Sequence, residues 1–568
     1  MSLGSVLEKQ ARKNPTQAAI LYEDRVISYR EFNESANRYA HLFQQRGFKK
    51  GDVVALLMEN RPEYLIAVAG LAKLGIIVSL VNTGVRGKVL SHAINICSAQ
   101  AIIIGNELLP AFAEVRADVV FRNPGTVFVE DDGQSIEAKE VEDLNALLRD
   151  MPVTNPGTTA GITTDDTLVY IYTSGTTGYP KATASKHHNW FMLGYGSGGL
   201  GLMMTPGDIL YNCLPLYHNS GINIAFSSFL VHGSTFALRR KFSARNFWND
   251  IRKYRASHFI YIGELCRYLN NQPPQPDDRD SPLEYILGNG MRGDYWMDFK
   301  NRFGIKRIIE VYGATEGVAR IINLKQIPGM MGGLNVIGTR IGEVVCYDIE
   351  NEQIVCDSRG IPVKCQPGET GLLLCEINQR AKFAGYVNNP EATEAKIMRD
   401  VFKKGDQYFN SSDLVKLHPR DYVSFVDRLG DTFRWKGENV ATNEVADILN
   451  QFGHIEDSNV YGVQVPGAEG RCGMVALKLQ PDYQMDWQAL AAFVLANLPV
   501  YARPYFVRLR DEIDATNSFK QVKTRLQQEG FDPDKITDPL YFLDPRCGEY
   551  VPLDKQIYQE IIDHQVAF

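Results

Sequence analysis

The nine cysteines include no C-x-x-C pair. Their scatter excludes a zinc cluster and a disulfide scaffold and reads as reduced thiols of a cytosolic compartment. The start, Met1-Ser2-Leu3-Gly4, lacks a charged segment followed by an apolar run, so no signal peptide is expected. An uninterrupted apolar run of membrane-spanning length is also missing. The most apolar stretch, Tyr64 to Val81, contains Lys73 and Gly75 and reads as helix, turn and buried strand. Any membrane anchor is expected outside this chain. Positive charge is not in excess: the net charge is −7, which gives no electrostatic case for nucleic acid. Internal repeats, low-complexity tracts and the common phosphate-loop spacing G-x-x-x-x-G-K-[ST] are all absent.

What is present is a soluble globular composition, 44% hydrophobic and 22% charged. At 568 residues the chain exceeds one ordinary core, so at least two domains are expected. Helical spacing runs from Asn33 to Arg46 and stops at Gly47, and again from Pro62 to Leu74 before Gly75. Val53–Met58, Ile76–Val81, Ala101–Ile104 and Leu168–Tyr172 read as buried strands. Strand–helix alternation predicts an α/β fold with parallel sheets covered by helices. The Pro-, Thr- and Gly-rich segment 151–166 reads as a loop. A break near Asp427-Arg428-Leu429-Gly430-Asp431 divides the chain into residues 1–427 and 428–568, the latter long enough for a small domain of its own.

The strand ending at Tyr172 runs directly into Thr173-Ser174-Gly175-Thr176-Thr177-Gly178-Tyr179-Pro180-Lys181. Hydroxyls can donate to phosphate oxygens, glycines let backbone N–H groups close around an anion, and Lys181 adds positive charge. A Ser/Thr/Gly loop alone is more often an ordinary turn. The full string, however, resembles the signature loop of adenylate-forming enzymes: acyl-CoA synthetases, luciferases and peptide-synthetase adenylation domains. One departure is Lys186 before His187, where that family usually has Ser or Thr.

Further segments extend the resemblance in chain order. Pro215-Leu216-Tyr217-His218-Asn219-Ser220-Gly221 is similar to P-L-x-H-x-x-G, which implies that His218 borders the acyl and ATP pockets. Gly288-Asn289-Gly290 falls where the family lines the adenine. Tyr312-Gly313-Ala314-Thr315-Glu316 resembles Y-G-x-T-E: the ring can stack on a purine, Thr315 can donate to phosphate, and Glu316 offers Mg²⁺ a hard ligand. Asp413 matches the ribose-binding aspartate of a T-G-D segment, although Ser412 stands in place of its glycine. If that position needs positive φ, serine costs about 1 kcal/mol there. Arg428 would hold ribose or phosphate, Gly430 and Asp431 would form a hinge, and Gly437 would face the pantetheine arm of coenzyme A. In Thr516-Asn517-Ser518-Phe519-Lys520, Lys520 matches the adenylation lysine, with Lys523 the alternative.

Asp431–Val440, Tyr261–Leu269, Leu498–Pro504 and Phe519–Leu543 look like the fatty acid transport protein branch, also called very-long-chain acyl-CoA synthetases. The resemblance spans nearly the whole chain. It implies a large AMP-binding domain with a β-barrel-like part, a small mobile α+β C-terminal domain, and the substrates ATP, Mg²⁺, coenzyme A and a fatty acid. It also implies a cytoplasmic location, at the inner face of a membrane. Alternatives are an adenylating ligase for another carboxylate and a fatty acid uptake protein. Between Leu238 and Arg255, the basic residues Arg239, Arg240, Lys241, Arg245, Arg252, Lys253 and Arg255 interleave with aromatics. That stretch reads either as a core-packed amphipathic helix or as a face for anionic lipid. Acyl chain length and oligomeric state are not legible.

Overall fold

The computed structural model describes every residue except 123–125, 132, 134–139, 174–178, 337, 350, 379–380, 436–437, 467, 469, 514–522 and 567. The chain forms two compact units, one of Met1–Gly332 with Glu376–Met398 and one of Gly333–Cys375 with Arg399–Phe568.

The first unit carries two mainly parallel sheets. One has seven strands in the spatial order Glu142–Asp143, Thr126–Glu130, Ala101–Gly105, Val53–Leu57, Ile77–Leu80, Thr167–Thr173 and Lys181–Lys186. Only the last pairs antiparallel. The other has eight strands, with a parallel interior and an antiparallel strand at each edge: Arg320–Ile322 beside Arg307–Gly313, and Arg25–Ser28 beside Ala18–Tyr22. Interior strands such as Val53–Leu57 and Ala101–Gly105 are buried at every position, which is why they read as continuous apolar runs.

The helices follow local signals. Pro62–Leu74 starts with proline in its first turn and ends at Gly75, whose φ of +73° suits a residue without Cβ. The helix expected from Asn33 starts earlier, at Tyr29, because Ser28 and Glu31 form a reciprocal capping box. Within Leu238–Arg255 the helix is Ala244–Tyr254. It buries Phe247, Ile251 and Tyr254, and Trp248 stacks on Phe303 at 4.3 Å. Five of the basic groups pair with acids: Arg239 with Asp250, Arg240 and Lys241 with Glu59, Arg252 with Asp277, and Lys253 with Asp24. The core-packed reading therefore describes this stretch.

The second unit begins with antiparallel strands Gly342–Val345, Thr370–Glu376, Gln407–His418 and Tyr422–Arg428. Beyond them lies a five-stranded sheet, Ile455–Val463, Cys472–Leu479, Pro504–Leu509, Leu540–Asp544 and Glu549–Pro552, with one parallel pair. A hydrophobic core running from Phe433 to Val566 belongs to this part alone. All nine cysteines are free thiols.

Lys73 explains how a charge fits inside the apolar stretch. It is fully buried, yet its Nζ donates to Glu8 (3.1 Å), Asn33 (2.7 Å), Asn37 (2.5 Å) and Asn155 (3.2 Å). Burial pushes its pKa down to about 8. Hydrogen bonds to a charged group contribute about 1.5–3 kcal/mol each. Asn37→Ala should therefore cost about 2 kcal/mol, read as a lowered thermal midpoint.

Candidate active site

The hydroxyl-rich loop is closed by a hairpin. Thr173, at the end of one strand, lies directly opposite Lys181, at the start of the next. Below it, the Tyr172 hydroxyl donates to the Ala93 carbonyl and lies 2.6 Å from Ser79 Oγ. On the far side Tyr179 stacks on His92 with ring centroids 4.7 Å apart. Ser174, Gly175, Thr176, Thr177 and Gly178 lie outside the described residues.

The free edge of this hairpin accepts one more segment. Val387 N–H donates to the Ala182 carbonyl at 2.8 Å, and Tyr386 bridges to Thr183. Tyr386 is thereby held beside Lys181, whose Nζ lies 5.4 Å from the centre of the Tyr386 ring. At its other end the Tyr386 hydroxyl donates to Glu316 Oε1 at 2.7 Å. Burial and the facing carboxylate of Glu316 push the Tyr386 phenol well above its ordinary range. Sequence reasoning missed Tyr386. Its only local mark is an aromatic placed between Gly385 and the Asn388-Asn389-Pro390 turn.

Glu316 and Thr315 occupy the turn between strands Arg307–Gly313 and Arg320–Ile322, where Gly317 N–H donates to the Ala314 carbonyl at 2.9 Å. Gly313 pairs with Arg320 and Tyr312 with Ile321. Both Glu316 and Thr315 are half-buried. A carboxylate and a hydroxyl on one turn are hard oxygen donors that suit Mg²⁺, which binds through few carboxylates together with substrate phosphates. Gly288, Asn289 and Gly290 end the neighbouring parallel strand; Asn289 and Gly290 are exposed. They lie at the carboxyl ends of parallel strands, the usual place for ligands in such sheets. His218 is half-buried; its carbonyl accepts from Gly221 and Ile222 N–H, and its Nδ1 accepts from Ser220 N–H at 3.4 Å. His187, next to the unusual Lys186, is a core residue: its Nδ1 accepts from Leu3 N–H at 3.1 Å, and burial pushes its pKa down to about 4.

In the second unit, Asp413 and Arg428 face each other across adjacent strands, with Arg428 Nε 3.5 Å from Asp413 Oδ1. Ser412 has φ +60°, the left-handed region that the T-G-D glycine would suit. Its carbonyl accepts from Leu429 N–H at 2.9 Å, which ties the serine turn to the segment after Arg428. Gly430 follows at φ +93°. Asp427 is buried and accepts from Thr442 N–H (2.7 Å), Thr442 Oγ1 (2.8 Å) and Asn443 Nδ2 (3.1 Å). Lys523 donates to Thr442 Oγ1 and lies 3.7 Å from Asp431. Gly437 and Lys520 lie outside the described residues.

Comparison with known proteins follows the same outline. Residues 7–386 match the family described as AMP-binding enzyme. The chain is 41% identical over 566 residues to long-chain fatty acid transport protein 2 of Rattus norvegicus, covering 98% of this chain and 90% of that protein. It is 39% identical over 560 residues to the medium/long-chain-fatty-acid–CoA ligase FadD6 of Mycobacterium tuberculosis, covering 99% and 91%. Among solved structures, the anthranilate CoA ligase AuaEII in complex with anthranoyl-AMP superposes with a TM-score of 0.78 at 19% identity, over 93% of this chain and 97% of that one. That likeness shows the fold.

Relief of the Ser412 backbone strain gives a direct measurement. Ser412→Gly should stabilise the protein by about 1 kcal/mol, read as a raised thermal midpoint; a lowered midpoint would mean that the serine side chain contributes more than its backbone costs.

Proposed function

The chain belongs to the AMP-binding enzymes, and from that premise we propose that it is a long- or very-long-chain fatty acid:CoA ligase. The observation that carries the reading is the Lys181–Tyr386–Glu316 contact, which joins the flank of a phosphate-type loop to a carboxylate suited to a cation. The names of two relatives, one a fatty acid transport protein and one a fatty-acid–CoA ligase, support the substrate class.

In the first half-reaction a carboxylate oxygen attacks the α-phosphorus of ATP, the bond to the β-phosphate breaks, and pyrophosphate leaves. The approaching groups are both anionic, a repulsion worth several kcal/mol where water is excluded. Lys181 and the loop from Thr173 to Gly178 receive the phosphates. Lys520 neutralises charge at the reacting centre. Asp413 holds the ribose hydroxyls, Arg428 the ribose or phosphate, and Tyr312 with Gly288–Gly290 the base. Mg²⁺, when held by Glu316, supplies electrostatic stabilisation of the phosphate oxygens. In the second half-reaction the coenzyme A thiol, losing its proton, attacks the acyl carbonyl and AMP departs.

Lys520 and the thiol need the same space. Residues 428–568, with their own core, are proposed to pivot about Gly430 and Asp431, withdrawing Lys520 and presenting Gly437. The contacts of Lys523 with Thr442 and Asp431 favour Lys520 as the adenylation lysine.

A second reading, uptake of fatty acid at a membrane, draws on the transport-protein names of relatives. No helix among the described residues is long and apolar enough to cross a membrane. Peripheral association at the cytoplasmic face would bring the enzyme to fatty acid dissolved in lipid.

Lys520→Ala should reduce acyl-AMP formation by about 100-fold or more, the scale for loss of a transition-state charge, while thioester formation from supplied acyl-AMP persists. Equal loss of both steps would reject the pivot. An ATP- and CoA-dependent assay across fatty acids of increasing length, with and without EDTA, tests the ligase reading itself; lipid binding without any acyl-CoA product would favour the uptake reading.

A further inference from the structure

Three adjacent parallel strands place Tyr261, Gly288 and Glu310 side by side in register. Residues aligned in this way share one face of the sheet. Because the middle residue has no side chain, its neighbours meet across it: the Tyr261 hydroxyl donates to Glu310 Oε2 at 2.6 Å. A Cβ on Gly288 would lie 2.1 Å from the Tyr261 carbonyl oxygen and 2.6 Å from its ring. The other carboxyl oxygen, Oε1, accepts from Gly290 N–H and from Met291 N–H at 3.3 Å. Gly290 is packed so closely on Gly263 that a Cβ on Gly263 would lie 1.8 Å from the Gly290 carbonyl oxygen.

Glu310 is buried, and among the described residues its partners are a phenol and two backbone amides, with no cation. A buried carboxyl without a counter-charge is costly. Burial pushes it up to about 8, and protonated or ionised it keeps Oε1 as an acceptor. Tyr312 lies two residues further along the same strand and therefore on the same face.

We infer that Glu310 is a positioning residue for nucleotide recognition, fixing the Gly288–Gly290 turn through its backbone amides so that the turn and Tyr312 present a rigid slot to the adenine. The inference rests on the ligase reading of that turn and adds to it a residue that does not touch the nucleotide. The turn itself is exposed and begins at Asn289, where the strand ends. Without the Glu310 acceptor, the Gly290 and Met291 amides lose their partner and the turn is free to relax.

The test compares Glu310→Leu, which removes both acceptors, with Glu310→Gln, whose amide oxygen still accepts from Gly290 and whose NH₂ can donate to Tyr261. In steady-state assays of the full chain, E310L should raise KM for ATP tenfold or more. Its kcat should stay within threefold and its KM for fatty acid within twofold, and E310Q should recover KM for ATP to within threefold of wild type. Folded E310L with an unchanged KM for ATP, or E310Q as impaired as E310L, would overturn the inference and leave the ligase reading standing. If circular dichroism shows E310L unfolded, Tyr261→Phe replaces it: a severalfold rise in KM for ATP supports the inference and an unchanged value overturns it. Wild-type protein that binds no ATP by calorimetry would overturn both readings together.

Discussion

Tyr386 joins two loops that different sheets supply. Its backbone extends the hairpin that closes the Thr173–Lys181 loop; its ring lies beside the Lys181 ammonium, and its hydroxyl reaches Glu316 on the turn that ends the other sheet. Opposite charges are thus held on either side of one aromatic ring. The arrangement keeps a cation and an anion apart yet fixed, which under the proposed ligase reading would leave the first to phosphate and the second to a metal. A direct Lys181–Glu316 ion pair would instead satisfy both groups and leave less attraction for a nucleotide. The packing of the seven-stranded sheet supports this geometry, since its interior strands Val53–Leu57 and Ala101–Gly105 are buried at every position.

The sequence showed some of this directly. Pro62–Leu74 was legible at both ends because proline and glycine mark the two boundaries with opposite backbone requirements. The parallel interior of the seven-stranded sheet was legible from apolar runs; the eight-stranded sheet was not read, and its antiparallel edge strands Arg320–Ile322 and Arg25–Ser28 are too short to carry a pattern. The start at Tyr29 was recoverable from Ser28 and Glu31, a signal passed over for the apolar periodicity. The basic stretch before Arg255 could be read two ways, because an aromatic face suits a core as well as a bilayer. The acids that pair with its charges, at positions 24, 59 and 277, are distant in sequence and favour the core-packed reading.

Site residues divide in the same way. Tyr312, Thr315, Glu316, Asp413 and Arg428 were nominated because each sits in a contiguous string. Tyr386 and Glu310 were not, because their meaning comes from strand register and cross-sheet contact. Lys73 shows the converse. Its position inside an apolar stretch marked it at once, while the acceptors that accommodate it come from residues 8, 33, 37 and 155. Buried polar groups of this kind are costly alone and stable only as complete sets, so their logic is invisible until the set is assembled.

Asp427 gives the proposed pivot a mechanical property. It precedes Gly430, whereas its partners Thr442 and Asn443 follow it, and the bonds to Thr442 close a short loop around the turn. Any swing at Gly430 must first unfasten a buried carboxylate from the start of the Thr442–Leu449 helix, against hydrogen bonds worth about 1.5–3 kcal/mol each. Such a joint does not drift; it behaves as a catch with a detent, dwelling in one orientation until another set of contacts repays the release. The turnover of a two-step enzyme built this way would be timed as much by that catch as by its chemistry.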